Sequence, residues 1–116
     1  MEKERKYDLS FLNKISNSDE NFIKEMIENF KKSSPQIVAK MEKNLNESKY
    51  VSMGKQVHKF IPGVSFLGAK KIEDDLLKIE ASIKSNTKLE EIPGLIENVK
   101  KNINELIDQF NKDFNL

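Results

Sequence analysis

The chain has 116 residues, 37% hydrophobic and 34% charged, with no cysteine, one histidine and a net charge of +1. That length suits a single domain spanning 1–116 with a modest core. No cysteine means no disulfide or thiolate metal site, one histidine excludes zinc sites built on paired imidazoles, and near-zero net charge gives no global field toward nucleic acid or an anionic membrane.

The start, MEKERKYDLS, is charged and lacks the apolar stretch of a signal peptide. No apolar run approaches the roughly 20 residues of a membrane span. A cytoplasmic, soluble helical protein is expected, with no membrane or nucleic-acid partner. In YDLSFLNKIS, Asp8 is placed to cap a short helix with Leu9, Leu12 and Phe11 toward one side. SNSDE then offers Ser and Asn caps before an acidic first turn.

Phe22, Ile23, Met26, Ile27 and Phe30 form an amphipathic stripe. At KKSSPQ the stripe is interrupted, with Ser34 and Pro35 predicted to start a new segment or kink a long one. Ile37, Val38, Met41 and Leu45 continue the face as far as NLNESK. A third stripe is Tyr50, Met53, Val57, Phe60, Ile61 and Val64, after which SFLGAKK makes a tight connection at Gly68. The fourth is Ile72, Leu76, Ile79 and Ile83. Thr87 and Glu90 are spaced as a capping box before the last stripe, Ile96, Val99, Ile103, Leu106 and Phe110. No segment alternates with period two, so the class is all-α: an antiparallel up-down four-helix bundle with a short extra N-terminal helix.

His58 is the only imidazole. At ~100° per residue it falls on the flank of the third stripe, beside Val51, Gly54, Pro62 and Ser65, with Lys55 and Lys59 on the outer side. A lone histidine is most often incidental. Here Gly54 is expected to leave the ring accessible, the two lysines to favour an incoming anion, and Val51, Ile61 and Pro62 to form an apolar surround for a partner. Pro62 has no N–H for the His58 carbonyl, so the helix is predicted to kink or end just beyond. Glu73, Asp74 and Asp75 diverge around the next helix and read as a solvated face, not a metal site. No Gly-rich nucleotide loop is present, and no second residue is nominated for a hydrolase triad.

His58-Lys59-Phe60, Pro62-Gly63 and Leu67-Gly68-Ala69, with the opening YDLSFLNKIS…DENFIKEMIENF, resemble the histidine-containing phosphotransfer (HPt) domain over almost the whole chain. The pattern departs twice: Ile61 stands where many members have a second lysine, and Pro62 where glycine is common. The resemblance implies that His58 accepts a phosphoryl group from a receiver-domain aspartate and passes it to another response regulator. Val51, Gly54, Lys55, Lys59, Ile61, Pro62 and Ser65 would then form the partner-binding surface. It further implies receiver domains and a hybrid sensor histidine kinase as partners and no cofactor of its own, with Mg²⁺ on the receiver. The missing nucleotide loop argues against autonomous kinase activity, Met1 and a complete bundle favour a stand-alone protein, and a monomer is expected because nothing suggests a large unsatisfied apolar patch. Two other readings stay open: a non-catalytic helical adaptor that binds receiver domains without phosphorylation, and a bundle that opens onto membranes or nucleic acid, against which the charge pattern counts.

Overall fold

The computed structural model describes residues 6–115. Met1 to Arg5, part of the charged start considered above, lie outside the described residues. Among the described residues five α-helices follow one another: α1 (Ser10–Ile15), α2 (Glu20–Asn46), α3 (Tyr50–Phe66), α4 (Lys70–Ser85) and α5 (Ile92–Asp113), with a 3₁₀ turn at Leu89–Glu91 before α5. Among the described residues there is no strand. The four long helices close a ring: α2 packs on α3, α3 on α4, α4 on α5 and α5 back on α2.

The apolar stripes meet inside that ring. Ile23, Ile27, Phe30, Val38 and Met41 of α2 are buried with Met53, Val57, Phe60 and Val64 of α3, Ile72, Leu76 and Ile79 of α4, and Ile96, Val99, Ile103, Leu106 and Phe110 of α5. Each such side chain contributes about 1.5–3 kcal/mol. Phe30 joins three helices, lying 6.3 Å from the ring of Phe60 and, edge to face, 6.3 Å from that of Phe110. Leu12 anchors α1, and Tyr7 packs 4.7 Å from Phe110 while its Oη donates to Asp113 Oδ2 at 2.6 Å. Phe11 and Phe22, placed on apolar faces by their spacing, are instead exposed. Phe11 stacks on Phe66, which is also exposed, ring centroids 5.5 Å apart.

Neither internal proline ends its helix. α2 runs unbroken through Pro35 and α3 through Pro62, so of the two alternatives at each proline, a kink in a continuous helix or a break, the break does not occur. A proline inside a helix costs roughly 3 kcal/mol. Buried residues on both sides of each proline offset that cost: Phe30 and Val38 around Pro35, Phe60 and Val64 around Pro62. Ser34 does not cap a helix; it is fully buried in α2.

The caps differ in detail from the spacing-based expectations. Asp19, not a Ser or Asn, caps α2, its side chain accepting from the N–H groups of Asn21 and Phe22. Asp8 accepts from the Ser10 N–H at 2.9 Å, one residue ahead of the α1 cap position at Leu9. The capping box at Thr87 and Glu90 does not form, because Thr87 is used to close α4. Its N–H donates to the Ser82 carbonyl, and left-handed Asn86 donates to Ile83. The same pair of closing bonds follows α2 at Ser48 and Lys49, and follows α3 at Gly68 and Ala69.

Of the three acidic residues read as a solvated face, Asp74 is exposed but Asp75 is half-buried. Desolvation holds the Asp75 carboxyl above its ordinary value, partly offset by Lys78 and reinforced by Asp74. A carboxyl raised in the folded state favours folding only once protonated, so at neutral pH it costs stability. Asp75→Asn should therefore raise the melting temperature at pH 7. The gain should shrink as pH falls through the carboxylate range, as thermal scans at several pH values would record.

Candidate functional site

α3 presents His58 on the side that meets α4. The imidazole is 74% exposed, and its Nδ1 lies 2.7 Å from Oε2 of Glu80, a side chain only 14% exposed. A carboxylate only accepts, so Nδ1 carries the proton and donates it. Nε2 then holds the lone pair, and among the described residues it has no hydrogen-bond partner. The result is an accessible nitrogen nucleophile with a fixed tautomer.

The α3–α4 turn brings the pair together. Gly68, at φ +64°, lets α3 close with its own N–H on the Ser65 carbonyl and the Ala69 N–H on that of Val64. The chain doubles back there, so residues at similar distances from the turn meet. His58 is ten residues before Gly68 and Glu80 twelve after; Gly54 is fourteen before and Ile83 fifteen after. A Cβ on Gly54 would stand 3.3 Å from Ile83 Cγ2. Gly54 thus faces α4 and permits close helix approach one turn from His58, whereas the spacing suggested that it opens the ring to solvent.

The other residues singled out near His58 separate into two groups. Val51 (72% exposed), Lys55, Lys59, Pro62 and Ser65 share the open face of α3. Ile61 is half-buried and packs against the core. Phe66 continues the open face one turn beyond Pro62, in contact with Phe11. Glu80 was not singled out by sequence. Its one available signal was its place opposite His58 across the Gly68 turn. Lys84, one turn after Glu80 on α4, adds an exposed cation from the neighbouring helix. Lys55, Lys59 and Lys84 are in no ion pair among the described residues.

Chemically, His58 and Glu80 make a base–orienter pair without a third member. Among the described residues no hydroxyl is bonded to Nε2, so the arrangement offers the imidazole itself as the reacting group. A hollow of about 810 Å³ lies elsewhere, between α4 and α5, lined by Ser82, Ser85, Thr87, Gly94 and Leu95 among others. Neither His58 nor Glu80 lines it. Among the described residues no group of three or more metal-ligating side chains comes together, and no helix is long and apolar enough to cross a membrane. In comparisons with known proteins, no family model, no curated protein and no solved structure matches the chain.

Proposed function

We propose that this protein is a phosphorelay intermediate of the histidine-containing phosphotransfer type, taking a phosphoryl group onto His58 from a receiver-domain aspartate and passing it to a second response regulator. One observation carries the reading: an exposed imidazole whose Nδ1–H is held by Glu80, leaving Nε2 free to attack. In this reading the ring of helices is an antiparallel up-down four-helix bundle, with α1 as the short extra helix at one end. The chain works as a cytoplasmic monomer beside receiver domains and a hybrid sensor kinase, and it is a phosphocarrier without kinase activity of its own.

The chemistry asks little of the chain. An in-line approach, exclusion of water by the docked partner and neutralisation of phosphoryl charge suffice. Lys55, Lys59 and Lys84 are the uncommitted cations available for the last task. Lys84 supplies from α4 some of the charge that Ile61 withholds from α3. The Mg²⁺ belongs to the receiver's acidic site. Exposed Val51, Pro62 and Phe66 would give the docking partner apolar area around the nucleophile.

The test is transfer of labelled phosphate from phosphorylated receiver domains to this chain, with His58→Gln in parallel. The product should be acid-labile and alkali-stable, as phosphohistidine is. Receiver domains that bind without passing label would replace this reading with the adaptor one.

A further inference from the structure

The His58–Glu80 contact bears on the phosphorylated state as well as on the free one. On acceptance, the Nε2 lone pair attacks phosphorus in the receiver's aspartyl phosphate. The N–P bond forms, the carboxyl O–P bond breaks, and the electron pair departs with the aspartate carboxylate. Nδ1 keeps its proton, so the phosphorylated ring is a cation beside a carboxylate 2.7 Å away. On donation, a second receiver's carboxylate oxygen attacks phosphorus and the N–P electron pair returns to Nε2. With Nδ1 protonated, the leaving group is neutral imidazole. With that proton lost, it would be an imidazolate anion, a far poorer leaving group.

We infer, building on the phosphotransfer reading, that Glu80 is a positioning residue that keeps the proton on Nδ1 of the phosphorylated ring and so sets the pH range over which the phosphoryl group can be passed on. Three features of the site support it. The carboxylate contacts Nδ1 directly and is itself largely shielded, at 14% exposure. An opposite charge at this range favours the protonated ring. On the adjoining faces Lys55 and Lys59 of α3 and Lys84 of α4 are cations, which would favour loss of the proton, while Glu73 lies two turns before Glu80 on the same side of α4. Of these charged groups Glu80 is the one in contact with the ring. Because the ring is mostly exposed, solvent screens more distant charges, and the carboxylate acts through its direct contact with Nδ1.

The experiment compares wild type with Glu80→Gln, whose amide keeps the shape and a hydrogen-bond acceptor but removes the charge. Both are phosphorylated with phosphoramidate, and onward transfer to a receiver domain is timed from about pH 6 to about pH 9, a range that spans imidazole titration. Phosphorus and nitrogen NMR of the phosphorylated ring reads Nδ1 protonation directly. The two proteins should transfer alike at the acid end. Glu80→Gln should lose transfer about one pH unit earlier, becoming about tenfold slower at the alkaline end, with Nδ1 deprotonating in step. Superimposable pH profiles and identical NMR titrations would overturn the inference while leaving the relay intact. Failure of the wild type to take label from any phosphorylated receiver would instead defeat the phosphotransfer reading beneath it.

Discussion

His58→Gln should reduce phosphoryl acceptance to background, a loss of at least about 10³-fold, because His58 is the only imidazole of the chain. The fold should be almost untouched. The ring is 74% exposed, and its single hydrogen bond to Glu80 is at the surface and worth about 1 kcal/mol. A thermal melt within a few degrees of wild type, beside absent label, separates loss of the nucleophile from loss of structure. If the variant still takes up acid-labile phosphate, His58 is not the acceptor and the proposed function fails.

The largest stability effect should come from Gly68→Ala. Gly68 has φ +64°, where a Cβ costs about 1–2 kcal/mol by itself. Here the new Cβ would also run into the backbone of Asp8, with Asp8 N 2.6 Å and Asp8 C 2.8 Å away. Backbone cannot swing aside as a flexible side chain does, since the Asp8 N–H is itself bonded to the Leu67 carbonyl at 3.1 Å. We expect a loss of about 3 kcal/mol or more and a fall in melting temperature of roughly 10 °C or more. Ser48→Gly and Asn86→Gly are the controls. Those positions close α2 and α4 at φ 56° and 53°, so glycine there should leave stability unchanged or slightly raised. A Gly68→Ala protein as stable as wild type would mean that the N-terminal segment does not cross this turn as described. Because Gly68 fixes the register that pairs His58 with Glu80, the variant is also expected to weaken that contact.

The pair of substitutions separates what each link contributes: His58 acts at the reacting atom with little effect on folding, whereas Gly68 acts on the frame that presents it. His58 was legible in the sequence because it is the only imidazole and sits on the flank of a readable stripe. Its acidic partner was not, because a glutamate in a chain rich in Lys and Glu looks like any solvated charge until helix register is known. The two prolines left a choice open for a related reason. A local rule kinks or ends a helix near each of them, and the buried residues on either side, which outweigh one lost hydrogen bond, decide for a continuous helix.

The sequence by itself determined the helical class and nearly all of the core, because amphipathic periodicity fixes which side chains must leave water whatever they pack against. It also determined the turn at Gly68, since a left-handed closure favours the one residue without a Cβ. Only the tertiary structure decided that Asp8 lies against that turn and that Gly54 is spent on close packing with Ile83. It likewise decided that Phe11 and Phe66 stack on the outside and that Glu80 reaches the histidine. These are contacts between residues far apart in the chain, set by how helices abut and not by any local preference.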